Sequence, residues 1–411
     1  MPSPEQPHYL VVNRYDDEDA EYRRYCAGQP CDLSVVTTPD GVPALGPIEP
    51  GRVVTVPDLE FATVLAAARE LERRHGAFDG VVGLSEYDVL TAARVREALG
   101  APGPSADLVR AFKDKVVMKE RVAAAGLAVP RFAALAGGAS AVELERAVGF
   151  PMVLKPRARA GSSGVRIVHD SAALAAALAE TDAEEYECEE YVSSEIYHVD
   201  GVLAEGREHF VSVSGYVNTP LEFTEGRPLG SVFLDPGALR DELAAFALAC
   251  VRALGLETGC FHLEVIRRPS GEPVFLEVGM RPGGAEVPFV HREVYGIDLM
   301  AETFRTVLGL PLESAGREFG HAGAGWVVMP EPAVRPARVV GRTPMKGVVP
   351  QVYAEVLPDP GDVYDGTGGY FHVPGRFRLA GPDERSLRAA ARRIMAEYRL
   401  DVEPAAAPVP S

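Results

Sequence analysis

Two alternating apolar runs around a Ser-Gly turn set the strongest constraint on this chain. They read Phe261-His262-Leu263-Glu264-Val265-Ile266-Arg267-Arg268 and Pro273-Val274-Phe275-Leu276-Glu277-Val278-Gly279-Met280-Arg281, with Pro269-Ser270-Gly271-Glu272 between them. The pattern predicts an antiparallel hairpin. If Ser270 and Gly271 form a two-residue loop, Pro269 faces Glu272 and Glu264 falls opposite Glu277. Alternation then puts His262, Glu264, Glu277, Gly279 and Arg281 on one face. Carboxylates directly opposite each other in a ladder repel. Either the hairpin is exposed and the two side chains splay into water, or a cation sits between them. Carboxylate oxygens suit Mg²⁺, which is commonly held by one or two carboxylates together with substrate phosphates. A one-residue bulge would break the alignment.

The chain has 411 residues, enough for two or three domains. Its net charge of −18 excludes a protein that wraps a nucleic-acid backbone, which needs a basic face. No apolar run reaches the roughly 20 residues that span a bilayer, so no membrane association is expected. Met1-Pro2-Ser3-Pro4-Glu5 has no signal-like pattern. The five cysteines, Cys26, Cys31, Cys188, Cys250 and Cys260, are scattered and odd in number. They fit reduced thiols in a cytoplasm rather than a disulfide framework, and Cys26 and Cys31 lack the further ligands of a zinc pattern.

Residues 1–104 alternate strands (Tyr9–Val12, Leu33–Thr37, Val53–Val56, Val81–Leu84) with helices (Asp16–Tyr25, Leu59–His75, Tyr87–Leu99), which predicts an open, mostly parallel α/β sheet. The first strand carries no glycine fingerprint, so this is not read as a dinucleotide site. A Pro/Gly linker at 101–105 precedes a helix predicted over Ala106–Ala125. Residues 130–192 read as a small α+β lobe and 193–320 as a larger, strand-rich one, with a helix at Asp241–Leu254. Residues 321–411 read as a small α+β subdomain with a Gly366-Thr367-Gly368-Gly369-Tyr370 loop, a basic amphipathic helix at Glu384–Tyr398 and a disordered tail from Glu403.

Three further stretches carry chemistry. Lys155 ends a strand and leads to Gly161-Ser162-Ser163-Gly164. That loop is either a plain turn or an anion cradle in which closely approaching backbone amides and the lysine charge hold phosphate. It is not a Walker loop, since no Gly-Lys-Ser/Thr ends it before a helix. The acidic strand Tyr186-Glu187-Cys188-Glu189-Glu190 runs on through Tyr191-Val192 to Glu195. It is either a charged edge that discourages aggregation or an extended segment presenting backbone groups to a base and a carboxylate to a ribose. Phe112-Lys113-Asp114-Lys115 lies on the helix after the linker.

The order of these pieces resembles the ATP-grasp superfamily over roughly residues 80 to 310. Helix lysine, strand lysine with Gly/Ser loop, acidic hinge and twin-Glu hairpin follow one another, with Arg281-Pro282-Gly283-Gly284 behind. The resemblance implies ATP held between two α+β lobes. It makes Lys115 and Lys155 phosphate-binding lysines and Gly161, Ser162, Ser163 and Gly164 a closing loop. Glu190 and Val192 become adenine contacts and Glu195 a ribose contact. Glu264 and Glu277 become ligands for one or two Mg²⁺ ions, with Mn²⁺ as a substitute, and Arg281 steadies the reacting acyl phosphate. Gly279 departs from the Asn that many members carry there. The Gln-Val-Glu-His stretch of biotin carboxylases is missing after Arg281, and the segment through Tyr295-Gly296-Ile297-Asp298-Leu299 resembles the dipeptide and L-amino-acid ligase branch, which includes carnosine-synthase-like enzymes. The implied activity is ADP-forming ligation of a small carboxylate, an amino acid or amino-acid-like acid, to an amine through an acyl phosphate. Glu286, His291 and Arg292 are candidate substrate contacts, and a homodimer is implied by resemblance alone. The alternatives are an ATP-grasp enzyme activating another carboxylate, a catalytically silent ATP-binding regulator, and a sugar-phosphate or dinucleotide enzyme built on the N-terminal sheet, which the missing fingerprint disfavours. His262 is read as a packed structural histidine or a phosphate or substrate contact; His198 and His209 are expected at the surface; Trp326 is given no role.

Overall fold

The computed structural model describes residues 6–135, 138–366 and 372–405. Near the N-terminus, β1 (His8–Asn13), β2 (Asp32–Thr37), β3 (Val53–Thr55) and β4 (Gly80–Gly83) form a wholly parallel sheet in the order β3-β2-β1-β4. Strand β1 is buried on both faces. Leu10 and Val12 pack with the helix Phe61–His75, while Tyr9 and Val11 pack toward the rest of the molecule. A parallel strand covered on both sides needs this continuous apolar run. The chain passes from β1 to β2 on one side, and β4 lies on the other. The sheet order therefore switches between β1 and β4, and the segments leaving their carboxyl ends share a crevice.

The small lobe contains β5 (Phe132–Ala134), β6 (Met152–Pro156), β7 (Arg166–Val168) and β8 (Tyr186–Glu190), antiparallel in the order β5-β8-β6-β7. The large sheet begins with β9 (Glu195–Ala204), β10 (Arg207–Asn218), β11 (Leu229–Phe233), β12 (Gly259–Arg267) and β13 (Pro273–Gly279). The C-terminal segment adds β14 (Ala324–Val328), β15 (Ala337–Arg342), β16 (Val352–Val356), β17 (Val363–Tyr364), β18 (Arg376–Ala380) and β19 (Leu400–Pro404). From the C-terminal segment, β14, β18 and β16 extend the large sheet to eight strands in the order β13-β12-β9-β10-β11-β14-β18-β16. The strands β17-β15-β19 of the same segment form a separate three-stranded sheet. Glu403 and Pro404, expected in a disordered tail, pair with β15. The expectations for 406–411 and for most of the Gly366–Tyr370 loop lie outside the described residues. All five cysteines are buried and unbridged, and no helix among the described residues is long and apolar enough to cross a membrane.

The hairpin register differs from the simple expectation in two compensating ways. Arg267 pairs with Pro273 and Val265 with Phe275, one step out of the predicted register. The loop is thus five residues long, closed by Arg268 N–H to Glu272 O at 2.9 Å and Gly271 N–H to Arg268 O at 2.8 Å. A bulge then inserts Leu276 as an extra residue, and Glu264 faces Glu277 after all.

Two expected helices are broken. Asp16–Tyr25 becomes a 3₁₀ turn, Glu18–Ala20, and a short helix, Tyr22–Tyr25, because both tyrosines turn inward to pack on Phe304. Ala106–Ala125 divides into Ala106–Ala111 and Lys115–Ala124. Asp114 makes the break: its carboxylate accepts from the N–H groups of Val116 and Val117 at 3.0 and 3.4 Å. Its oxygens also accept from Arg157 at 3.1 and 2.7 Å, tying this helix to the end of β6. Lys115 thereby starts a helix, with its N–H donating to Arg157 O at 2.9 Å. Asp114→Ala should cost about 1–2 kcal/mol of stability in urea melts; a loss of only a few tenths would contradict the capping role.

Candidate functional site

A cavity of about 210 Å³ opens where the N-terminal sheet, the small lobe and the large sheet meet. The crevice between β1 and β4 contributes Tyr15, Asp17, Asp19 and Glu86. The loop after β6 contributes Ala160, Gly161 and Ser162. The large sheet contributes His262, Glu264 and Glu277, and the segment just after β13 contributes Arg281; these are four of the five residues that strand alternation placed on one face.

The two facing carboxylates are in different electrostatic states. Burial pushes the Glu264 carboxyl up, and the Glu277 charge across the ladder pushes it further. Tyr216 donates its hydroxyl to Glu264 Oε1 at 2.8 Å. Burial opposes ionisation of Glu277 too, but the Lys115 and Lys155 ammonium groups outweigh it and hold its carboxyl down at about 2. Lys115 Nζ lies 3.2 Å from Glu277 Oε2 and donates to Arg159 O at 2.7 Å. An all-oxygen pair in which one carboxylate resists ionisation beside the other fits a hard divalent cation, whose charge would relieve that conflict.

Lys155 is buried, and its charge acts on Glu277. Its Nζ lies 2.6 Å from Glu189 Oε1, and Lys119, fully buried, lies 2.5 Å from Glu187 Oε1 and 2.6 Å from Glu189 Oε2. Burial disfavours the Lys155 charge, but Glu189 and Glu187 overcome it and raise its pKa. The sequence reading missed Lys119, Glu187 and Glu189 as site residues. The signal was present in β8, where acids two apart share one face while Cys188 enters the apolar core on the other.

The Gly161–Gly164 loop has Ser162 at φ 56° and Gly164 at φ 76°. A Cβ on Gly164 would sit 2.8 Å from Tyr186 Oη, so both backbone and space require glycine there. Glu190, Val192 and Glu195 lie on the segment joining the lobes, outside the cavity lining. The Glu190 carboxylate accepts two bonds from Arg268 at 2.8 and 3.1 Å, clasping β8 to the hairpin loop. These bonds outweigh desolvation and hold its carboxyl at about 2. Glu195 accepts from Tyr197 Oη at 2.7 Å.

Other expected residues are placed differently. His198 is not at the surface; it is fully buried, because its register on β9 turns it under Tyr216. Asp200 accepts from His198 Nδ1 at 2.7 Å and from His262 Nδ1 at 2.8 Å, and His198 Nε2 meets Ser231 Oγ at 2.7 Å. This group has metal-type ligand atoms within 4.8 Å of one another, yet they satisfy one another without an ion. His262 is thus pinned by Asp200 and still lines the cavity. His209 is half-buried against Ser314, at 2.8 Å. The structure does not bring His291 to the cavity: it is buried, with its nitrogens on Val287 O and Ser212 Oγ, each at 2.7 Å. Arg292 pairs with Glu18 at 3.2 Å, away from the cavity lining. Glu286 is buried behind the wall, 3.3 Å from Arg376 and 2.5 Å from Arg378, so it touches the cavity only through Arg376. Trp326, given no role from sequence, is buried and lines the cavity.

No family model matches the chain. It is 26% identical over 259 residues to an L-arginine-specific L-amino acid ligase of Bacillus subtilis, covering 60% of this chain and 62% of that protein. It is 30% identical over 257 residues to a D-alanine–D-alanine ligase of Xylella fastidiosa, covering 56% of this chain and 80% of the relative. The chain therefore spans less than two thirds of the length of the Bacillus subtilis relative. Among solved structures, an L-amino acid ligase from Bacillus licheniformis superposes with a TM-score of 0.75 at 20% identity, over 97% of this chain and 99% of that one.

The Arg268 clasp makes a pH prediction. The folded Glu190 pKa is about 2, below the ordinary 4.5. Its stabilisation is complete above the unfolded value and is lost as pH falls toward 2. Wild type should exceed Glu190→Gln in denaturant stability by a constant margin near neutrality, and the margin should close on acidification through that window. A margin independent of pH down to the acid limit would contradict the ion pair.

Proposed function

The chain belongs to the ATP-grasp carboxylate–amine ligases, and from that membership we propose that it forms an amide bond between small substrates, amino acids or amino-acid-like acids, at the expense of ATP. The observation that carries the reading is the convergence of Glu264, Glu277 and Arg281 on one cavity, with Lys115 against Glu277 and the charge of Lys155 acting on it. The names of the relatives, ligases of L-amino acids and of D-alanine, support the substrate class.

In this reading the substrate carboxylate attacks the γ-phosphorus of ATP, and ADP leaves. The amine then attacks the acyl carbon, the amine loses a proton, and phosphate departs. Phosphoryl transfer needs positioning and neutralisation of charge more than covalent help. Lys115 and Lys155 supply two fixed positive charges for the phosphates, and Glu189 and Glu187 keep Lys155 protonated and in place. Mg²⁺ held by Glu264 and Glu277 would neutralise charge on the transferring phosphoryl oxygens. Arg281 donates to the oxygen that becomes negative when the amine attacks. The Gly161–Gly164 loop covers the phosphates and excludes water, which would hydrolyse the activated acid.

A screen of ATP with pairs of amino acids, read as ADP and phosphate release, tests the reading. Release should depend on both members of at least one pair and should be abolished by Glu277→Ala. Turnover like wild type in that variant would defeat the assignment of the metal ligands.

A further inference from the structure

Gly279 stands where the sequence resemblance expects Asn, and the side chains of Glu86 and Arg281 lie close against that position. A Cβ there would lie 3.3 Å from Glu86 Oε2, 3.3 Å from Arg281 Cγ and 3.5 Å from Arg281 Nε. Gly279 is not among the positive-φ glycines, so no backbone demand calls for glycine there, and a Cβ would press on Glu86 and Arg281 by only a few tenths of an ångström. The occupant is Glu86, which arrives from a different domain on the turn after β4. Lys113 Nζ donates to Glu86 Oε1 and to the Glu86 carbonyl, each at 2.7 Å. Arg281 Nε donates to Glu86 Oε2. Glu86 thus has each carboxylate oxygen engaged by a cation. It supplies a fixed partner for Arg281.

An arginine side chain is long and rotatable, and only contacts at its planar head define where its donors point. Here two such contacts use different nitrogens: Nε on Glu86, and Nη1 donating to Pro282 O at 2.6 Å. The second belongs to the neighbouring residue and moves with the chain. The first crosses between domains and ties the plane of the guanidinium to the carboxyl end of the parallel sheet. Lys113 secures Glu86 from the helix–helix break beside Asp114, so that the same junction that sets Lys115 also sets Glu86.

We propose that Glu86 is a positioning residue for ligation, fixing Arg281 over the reacting acyl group, with Gly279 leaving the pair room. The proposal rests on the reading of Arg281 as the donor to the acyl oxygen. It makes the N-terminal sheet part of the reaction machinery, although that domain carries no nucleotide fingerprint.

The test is a mutant cycle on the full chain, with ATP and a mixture of the common protein amino acids as the probe. Glu86→Gln should lower kcat by about a hundredfold, the scale of a misplaced catalytic group. Its Kd for MgATP by calorimetry should stay within about twofold of wild type, the tolerance for independent sites. Arg281→Ala should lose about 10²–10³ in kcat, and adding Glu86→Gln to it should cost less than about twofold more. An equal cost of Glu86→Gln in both backgrounds would overturn action through Arg281. No ADP release by wild type would overturn the ligase reading itself, whereas an active wild type matched by Glu86→Gln would overturn this proposal alone. A crystal structure of Glu86→Ala gives a readout independent of turnover: Arg281 should leave its place beside Gly279, and an unmoved guanidinium would overturn the proposal.

Discussion

Two carboxylates held face to face across a β-ladder are the constraint around which this molecule is organised. A ladder does not tolerate like charges directly opposite each other without compensation. Glu264 and Glu277 are nevertheless locked in that relation by the pairing of β12 with β13. The compensation visible in the chain comes from outside the hairpin, from Lys115 on a helix and Lys155 on the small lobe. Both are anchored in turn: Lys115 by the Asp114–Arg157 junction, Lys155 by Glu189. Pulling on the hairpin charge therefore engages the whole cleft.

The arrangement also explains why three structural units must meet. The small lobe brings Lys155 and the glycine loop, the large sheet and the segment after it bring the acids and Arg281, and the parallel sheet brings Glu86 from its switch-point crevice. Open α/β sheets present ligand-facing groups at the carboxyl ends of strands where the order reverses. Here that edge serves a site whose centre lies on another sheet. Glu190 and Arg268 link the small lobe to the hairpin loop, so the hinge side of the cleft is also held by an ion pair.

Much of this was legible in the residues. Parallel strands announced themselves as continuous apolar runs, and the hairpin by alternation and its Ser-Gly turn. The Glu264–Glu277 pairing emerged from a two-residue loop that does not exist. A five-residue loop and a bulge at Leu276 cancel, and no local pattern encodes that cancellation. Helix breaks at Glu21 and Asp114 were hidden because they depend on distant partners, Phe304 and Arg157. Glu86 and Lys119 carried no motif, and Lys113, though inside the Phe112–Lys115 stretch, was not marked out from Lys115; their roles arise from contacts across tens to hundreds of residues. His198 looked like a surface histidine because burial on the inner face of a wide sheet depends on strand order, which one strand cannot reveal. The acids at 187 and 189 could have been found by asking what faces Lys155 across the ladder.

The most direct measurement of the central claim is anomalous diffraction from crystals soaked with Mn²⁺ and a non-hydrolysable ATP analogue. A metal peak between the Glu264 and Glu277 carboxylates, with the phosphates of the analogue on its far side, is the result expected here. Both carboxylates turned to solvent, with the nucleotide bound elsewhere, would contradict the account.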